Sequence, residues 1–189
     1  MVLKIFWRLE VEGAENLPQE GGVLIASNHS SYLDPPVMGA SFERQVHFMA
    51  KKELFKVPVL GFCISRMGNF PVARGTADRS AIRKAIEYLS SGEVVGIFPQ
   101  GTRSKSGTMK DAEIGAAMLA AKAGVPILPM GIRGNIGVFQ MKGIIPKFSK
   151  IKVKIGKPIE VSLQPRADRE QLKTILDKVM EEIRKLVEE

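Results

Sequence analysis

The regular alternation of short apolar segments with amphipathic segments is the feature that most constrains how this chain can fold. Short apolar segments bounded by turn-forming residues are typical of buried β-strands. We predict strands over Val23–Ser27, Val46–Ala50, Val94–Pro99, Pro126–Ile132 and Ile151–Ile155. Apolar residues at helical spacing predict helices over Asp78–Ser91, Asp111–Ala123 and Leu172–Val187. This order is typical of an α/β fold in which a central sheet is flanked by helices.

The length and charge of the chain limit its organisation and its partners. Its 189 residues fit a single domain over residues 1–189, without an internal repeat or a long linker. The net charge of +8 favours an anionic partner: a phosphate ligand, an acidic carrier protein, a membrane surface or a nucleic acid. Cys63 is the only cysteine, which excludes an intramolecular disulfide. No apolar segment approaches the roughly 18 residues that a membrane-spanning helix needs.

The first predicted strand is followed by His29-Ser30-Ser31-Tyr32-Leu33-Asp34. A histidine tuned by a nearby carboxylate is the usual group for removing a proton from a hydroxyl near neutral pH. Residues five positions apart diverge by about 140° on a helix, so His29 and Asp34 can meet only across a turn. The prolines at 35 and 36 favour such a turn, because a residue before proline avoids the helical conformation. The same residues fit a second interpretation, in which Asp34 only caps the following helix.

A second polar segment runs from Pro99 to Gly107, directly after the strand that begins at Val94. A strand that leads into a glycine turn leaves backbone N–H groups free to bind an anion. The guanidinium of Arg103 adds a planar fork of donors that suits phosphate, and Thr102 and Ser104 add hydroxyl groups. The segment lacks the Gly-Lys-Ser/Thr run of a Walker loop, so it is weak evidence when taken alone.

The two segments together resemble a known enzyme family. His-x4-Asp followed by Phe98-Pro99-Gln100-Gly101-Thr102-Arg103-Ser104 resembles the glycerolipid acyltransferases, and most closely the 1-acyl-glycerol-3-phosphate acyltransferases. Further segments resemble that family's other motifs in the same order: Ala50–Phe62, Gly68–Gly75 and Val125–Ile132. The resemblance covers roughly residues 10 to 135, and the C-terminal strand and helix within 151–189 add a compatible architecture. It implies a single acyltransferase domain of the α/β class.

The resemblance also implies a reaction. A fatty acyl group moves from a thioester of CoA or of acyl carrier protein to the sn-2 hydroxyl of lysophosphatidic acid, which forms phosphatidic acid. In that reaction His29 is the general base that deprotonates the hydroxyl, and Asp34 orients and stabilises the imidazole. Neither a metal nor an organic cofactor is needed, because a thioester is already activated.

The resemblance assigns the acceptor's phosphate to a set of basic and polar residues. They are Arg103 with the Gly101–Thr102 turn, Lys51 and Arg74. We expect Gln100 to have a supporting role, since it stands where Glu is commoner and keeps a hydrogen-bond acceptor while losing the charge. Ala73, often acidic in relatives, offers no side-chain hydrogen bond, so Arg74 also fits an ordinary surface arginine.

Because lysophosphatidic acid lies in a bilayer, the resemblance also implies that the protein reaches a membrane surface. An apolar patch with a basic fringe comprises Phe55, Val57, Pro58, Val59, Leu60 and Phe62, with Lys51, Lys52, Lys56 and Arg66 around them. This composition is typical of an interfacial segment attracted to anionic lipid. It predicts a peripheral protein on the cytoplasmic face of the cell membrane. The alternative is an amphipathic helix packed into the core.

Two other functions stay open at this point. One is an acyltransferase of the same fold with another acceptor, such as glycerol 3-phosphate, a lysophospholipid or an aminolipid. The other, from a different class, is a non-catalytic phosphate- or nucleic-acid-binding module. The basic residues lack the interleaved aromatic residues of single-strand binders, so we expect no nucleic-acid partner. With two histidines, the chain also lacks the ligand clusters of a metal-dependent phosphohydrolase.

Overall fold

The computed structural model of the protein describes residues 6–73, 78–104, 112–135, 149–161 and 168–188. The strands are β1 (Glu10–Glu12), β2 (Val23–Ser27), β3 (Val46–Lys51), β4 (Phe70–Val72), β5 (Val94–Ile97), β6 (Ile127–Arg133) and β7 (Lys152–Ile155). The α-helices are α1 (Asp34–Ala40), α2 (Pro58–Arg66), α3 (Arg79–Ser90), α4 (Gly115–Ala123) and α5 (Arg169–Glu188). Short 3₁₀ helices cover Ala14–Asn16 and Lys52–Lys56.

The described strands form one seven-stranded sheet in the order β1-β7-β6-β2-β5-β3-β4. Strands β2 to β6 run parallel to one another, and β7 pairs antiparallel with β6. The edge strand β1 pairs parallel with β7. Parallel neighbours need crossover connections, which is why helices alternate with these strands. A mixed sheet with flanking helices confirms the predicted α/β class.

The central strand β2 is buried on both faces of the sheet. Val23 and Ile25 belong to one apolar cluster, and Leu24 and Ala26 belong to the other. Helices α3, α4 and α5 cover the face of Leu24, while α1 and the residues before β2 cover the face of Ile25. Because both faces are covered, the strand is an unbroken apolar run rather than an alternation of apolar and polar residues.

The central strands confirm the sequence prediction to within two residues at each end. The helices predicted at Asp78–Ser91 and Leu172–Val187 are confirmed as α3 and α5. The sequence did not predict β1 and β4, the two edge strands, each of which is three residues long. Segments this short hold too few residues to show a periodic pattern.

The start of the helix predicted over Asp111–Ala123 is wrong. Asp111 lies outside the described residues, and α4 begins at Gly115. Glu113 stays outside the helix, and its backbone N–H donates to the Pro99 carbonyl at 2.9 Å, which ties this segment to the loop after β5. The predicted end is confirmed, because Gly124 follows α4 in the left-handed conformation that favours glycine, with φ of 65°.

Candidate active site

Three neighbouring strands direct their carboxyl ends to one edge of the sheet. β2 lies between the parallel strands β5 and β6. The loop after β2 carries His29–Asp34, the loop after β5 carries Phe98–Ser104, and Asn135 follows β6. Open parallel sheets bind ligands outside the carboxyl ends of their strands. The predicted site residues therefore come together where a site is expected.

The structure brings His29 and Asp34 into direct contact across the predicted turn. His29 Nδ1 lies 2.7 Å from Asp34 Oδ2, and 7% of His29 and none of Asp34 is exposed to solvent. The same carboxylate oxygen accepts hydrogen bonds from the backbone N–H groups of Ser30 and Ser31, at 2.7 and 2.8 Å. These two bonds hold the carboxylate in place independently of the imidazole.

The contact with Asp34 assigns the tautomer of His29. An ionised carboxylate only accepts hydrogen bonds, so His29 Nδ1 carries the proton of the neutral ring. Nε2 is then the basic nitrogen. When Nε2 takes a proton, the adjacent carboxylate stabilises the imidazolium that forms. The pair therefore has the geometry of a general base and its orienting acid.

The structure decides against the interpretation of Asp34 as a helix cap. Asp34 is the first residue of α1, and proline occupies the first turn as predicted. No side-chain cap bond starts this helix, and Asp34 Oδ2 accepts from groups of the loop that precedes it. The negative charge still interacts favourably with the dipole of α1. The side chain of Asp34 thus serves the loop rather than the helix.

The loop after β5 packs against His29 and holds its backbone. The Phe98 ring stacks on the imidazole, with 4.1 Å between ring centroids and 18° between ring planes. The His29 N–H donates to Gln100 Oε1 at 3.3 Å, and the Ser104 N–H donates to the His29 carbonyl at 2.8 Å. Gln100 is 6% exposed, and its Nε2 is a buried donor without a hydrogen-bond partner among the described residues. A glutamate at position 100 would accept the same hydrogen bond from the His29 N–H through a carboxylate oxygen.

Two backbone N–H groups of the glycine turn, those of Gly101 and Thr102, are not free as the sequence predicted. The Gly101 N–H donates to the Phe98 carbonyl at 2.9 Å, and the Thr102 N–H donates to the Gln100 carbonyl at 2.7 Å. Gly101 has a φ of 66°, which glycine adopts without strain, and the turn uses these two donors internally. The side chains of Thr102 and Arg103 are the groups of this turn that remain candidates for binding an anion.

Arg103 lies against the loop that carries His29. The carbon at the centre of its guanidinium lies 3.5 Å from the centre of the Tyr32 ring. A cation over an aromatic face gains about 0.5–1 kcal/mol at an exposed site. Tyr32 thereby holds the guanidinium beside the His29 loop. No role for Tyr32 was predicted from the sequence.

Of the two further cations named from the sequence, Lys51 lies within the described residues and Arg74 lies outside them. Lys51 ends β3 at the carboxyl edge of the sheet, and its ammonium lies 3.8 Å from the carboxylate of Glu53. Ala73, the neighbour of Arg74, donates its N–H to Asp78 Oδ2 at 2.9 Å. The structure therefore brings Lys51 to the edge that carries His29.

Two asparagines complete the site, and the sequence analysis assigned no role to either. The Asn28 side chain donates to the Ile132 carbonyl and accepts from the Ile132 N–H, both at 2.8 Å, which links the end of β2 to β6. Asn135 is 1% exposed and donates to Asp34 Oδ1. The available signal was their position, because Asn28 directly follows one predicted strand, Asn135 lies three residues after another, and parallel strands end at a common edge.

The described residues contain no group of three or more His, Cys, Asp or Glu side chains arranged to hold a metal ion. The second histidine, His47, is 6% exposed on β3 and is engaged elsewhere. Its Nδ1 lies 2.8 Å from the Gly68 carbonyl oxygen, and its ring stacks on Tyr88 with 4.1 Å between centroids. These contacts give His47 a structural role.

Asn28→Ala should destabilise the protein, because it leaves both backbone groups of Ile132 without partners. Each buried group left unpaired costs about 1–3 kcal/mol, so we expect the free energy of unfolding to fall by about 2–6 kcal/mol in urea denaturation. The control is Asn16→Ala, which removes a single partly buried bond of 2.9 Å to the Ile155 carbonyl and should cost about 1 kcal/mol. Equal losses in the two variants would contradict the role of Asn28.

Comparison with known proteins places the chain in a family. Residues 8–133 match the family model described as Acyltransferase. The 1-acyl-sn-glycerol-3-phosphate acyltransferase of Bacillus subtilis is 31% identical over 190 residues, which cover 98% of this chain and 92% of that relative. The chloroplastic 1-acyl-sn-glycerol-3-phosphate acyltransferase LPAT1 of Arabidopsis thaliana is 33% identical over 83% of this chain, which spans 45% of that longer relative. The crystal structure of the 1-acyl-sn-glycerophosphate (LPA) acyltransferase from Thermotoga maritima matches with a TM-score of 0.77 and 30% identity, over 94% of this chain and 71% of that one. The chain belongs to the acyltransferase family.

Proposed function

We propose that this protein transfers a fatty acyl group from a thioester to the sn-2 hydroxyl of lysophosphatidic acid, forming phosphatidic acid. The observation that carries the proposal is the buried His29–Asp34 pair, with 2.7 Å between Nδ1 and Oδ2. The names of the Bacillus subtilis and Thermotoga maritima relatives support lysophosphatidic acid as the acceptor. The donor is a thioester of CoA or of acyl carrier protein.

In the proposed mechanism, His29 Nε2 removes the proton from the acceptor hydroxyl as the hydroxyl oxygen attacks the thioester carbonyl carbon. The new C–O bond gives a tetrahedral intermediate, whose collapse breaks the C–S bond. The imidazolium of His29 returns its proton to the departing sulfur. Asp34 stabilises the imidazolium between these two transfers. No acyl-enzyme forms, and no metal or organic cofactor takes part.

The phosphate of the acceptor binds beside this pair in the proposed complex. A guanidinium suits phosphate because it donates two parallel hydrogen bonds, and Tyr32 holds that of Arg103 next to the His29 loop. The Thr102 hydroxyl adds a donor, and Gly101 shapes the turn. Lys51 and Arg74 contribute further positive charge.

Helix α2 is proposed as the membrane-binding element. Gly61 is its one buried residue, while 78% of Val59 and 71% of Phe62 is exposed. The exposure of its large apolar side chains contradicts the alternative of a core helix and is typical of an interaction surface. Lys52, Lys56 and Arg66 are also exposed and supply the basic fringe that attracts anionic lipid.

Helix α2 is entered from the sheet edge that carries His29. The preceding 3₁₀ helix starts directly after Lys51, at the carboxyl end of β3. The chain that leaves α2 lies at the opposite end of β3, where the Gly68 carbonyl oxygen is 2.8 Å from His47 Nδ1. The amino-terminal end of α2 is therefore the end connected to the edge that carries His29. Within the described part of the chain, no helix combines the length and the apolar composition that a bilayer crossing requires.

The reaction is tested with radiolabelled lysophosphatidic acid and palmitoyl-CoA or palmitoyl-acyl carrier protein, in detergent and in liposomes. We expect phosphatidic acid as the product. His29→Ala should lower kcat by about 10²- to 10⁴-fold, the usual contribution of general-base catalysis. Asp34→Asn should lower kcat by a similar factor, because it removes the charge that stabilises the imidazolium. His47→Gln is the control and should stay active.

The outcomes of this assay separate the candidate functions. Absence of phosphatidic acid with both donors would defeat the proposal. A product formed instead from glycerol 3-phosphate or from a lysophospholipid would show that the protein is an acyltransferase with another acceptor. Full activity in His29→Ala would exclude the mechanism even if phosphatidic acid forms.

Arg103→Gln should raise the KM for lysophosphatidic acid by about 10- to 100-fold with little change in kcat. The reason is that charge-assisted hydrogen bonds to phosphate contribute about 1.5–3 kcal/mol. Arg103→Lys keeps the charge but loses the planar fork, so its KM should be intermediate. Initial rates over a range of lysophosphatidic acid concentrations measure both constants.

The control is Arg83→Gln, on the exposed side of α3, whose KM should match that of the wild type. An unchanged KM in Arg103→Gln would exclude Arg103 from the phosphate site.

Binding to phosphatidylglycerol vesicles, measured by co-sedimentation, tests the role of α2. The double variant Val59→Ser/Phe62→Ser should weaken binding by tenfold or more, because a fully buried large apolar side chain contributes about 1.5–3 kcal/mol. Lys52→Glu/Lys56→Glu should also weaken binding, and more so at low salt. Lys173→Glu/Lys178→Glu on α5 makes the same change in net charge and should have a smaller effect. Wild-type binding by the serine variant, or equal effects of the two lysine pairs, would exclude α2 as the docking surface.

A further inference from the structure

We infer that Asn135 is a positioning residue for the general base, acting on His29 through the carboxylate of Asp34. The inference rests on the function proposed above and extends the site to a third strand. Asn135 follows β6 and lies 101 residues from Asp34 in the chain, yet their side chains are hydrogen-bonded. This contact gives Asn135 direct influence over the acid of the pair.

Each oxygen of the Asp34 carboxylate receives its own donors. Oδ2 accepts from His29 Nδ1 and from the backbone N–H groups of Ser30 and Ser31, at 2.7 to 2.8 Å. Oδ1 accepts from Asn135 Nδ2. Because Asp34 is fully buried, these donors replace the water that would otherwise stabilise its charge. Asn135 therefore supplies the donor for the oxygen that does not face the imidazole.

The orientation of the Asn135 amide is set by two bonds that agree. Ser30 Oγ donates to Asn135 Oδ1 at 3.1 Å, which leaves Nδ2 to face Asp34. A carboxylate requires a donor, so the contact with Asp34 assigns the same orientation. With 1% of Asn135 exposed, the amide is enclosed by the protein. Ser30 thus links the loop of His29 to Asn135 a second time.

The backbone before Asn135 is shaped to bring this side chain to Asp34. Gly134 has a φ of 84°, and its carbonyl accepts a hydrogen bond of 2.6 Å from Ser149 Oγ. A Cβ at this position would lie 2.1 Å from the Lys150 carbonyl oxygen, so the turn requires glycine. The residue before Asn135 is therefore held against the segment that leads into β7.

The amide of Asn135 affects the proton affinity of the imidazole. A donor at Oδ1 draws negative charge away from Oδ2, which faces His29. Without that donor, the carboxylate favours the imidazolium more strongly, and His29 keeps its proton to higher pH. The side chains that pack on the pair from the loop after β5, Phe98 and Gln100, are uncharged. Arg103, the cation held on Tyr32, is common to all variants compared below.

The first test is an NMR titration of His29 that needs no substrate. The chain has two histidines, so ¹⁵N-labelled protein gives two imidazole spin systems, which His47→Gln assigns. In Asn135→Ala the titration midpoint of His29 should rise by about half a pH unit or more, equivalent to about 0.7 kcal/mol. Asn135→Asp adds a second carboxylate and should raise the midpoint further. Ser30→Ala removes the hydrogen bond that orients the Asn135 amide, and it should raise the midpoint less than Asn135→Ala does.

The second test follows the same variants in the acyltransferase assay. The acid limb of the pH profile of kcat/KM should move upward in the order found by NMR. At neutral pH, kcat should fall by about tenfold in Asn135→Ala, with the KM for lysophosphatidic acid within about twofold of the wild type. Asn135→Asp preserves the volume of the side chain and the acceptor for Ser30, so it separates the electrostatic effect from a loss of packing.

The two tests separate a failure of the proposed reaction from a failure of the positioning role. A shifted His29 midpoint in a protein that forms no phosphatidic acid would defeat the proposed reaction and support the positioning role. An unshifted midpoint and an unchanged pH profile in Asn135→Ala and Asn135→Asp would overturn the inference. A lower melting temperature as the only effect would also overturn the inference, because it would show that Asn135 contributes only to packing.

Discussion

The site depends on one buried carboxylate. A charge removed from water is unfavourable by several kcal/mol unless hydrogen bonds replace its hydration. Asp34 obtains them from its own loop, from the imidazole of His29 and from Asn135 beyond β6. Under the proposed mechanism, one of these donors, the His29 imidazole, is also the group that transfers the proton. The hydrogen bonds that stabilise the Asp34 charge inside the protein therefore also fix the position of the His29 imidazole.

The parallel sheet makes this arrangement possible. Because β2 is buried on both faces, the strand itself consists of apolar and small residues, and polar chemistry begins directly after it. The neighbours of β2 then reach the His29 loop from opposite sides: the loop after β5 holds the His29 backbone, and Asn135 after β6 holds Asp34. The His29 loop therefore lies between the segments that follow its two neighbouring strands and is held from both sides.

The surface around this edge combines two further kinds of chemistry. Under the proposed function, the positive charge of Arg103 and Lys51 serves the phosphate of the acceptor, and Tyr32 holds the guanidinium beside the His29 loop. The exposed apolar residues of α2 serve the proposed docking to lipid, and this helix is entered from the same sheet edge. Exposed apolar side chains that lie together are typical of an interaction surface.

The sequence by itself determined the α/β class and the central strands, because apolar periodicity and turn-forming residues are local properties. The tertiary structure decided between two roles for Asp34, since the choice depends on which donors surround its carboxylate. It also showed that the N–H groups of Gly101 and Thr102 are already paired, that the apolar residues of α2 lie on the surface, and that Asn135 reaches Asp34. Each of these outcomes depends on contacts between residues distant in the chain or on the closure of a turn, and local pattern carries no information about either.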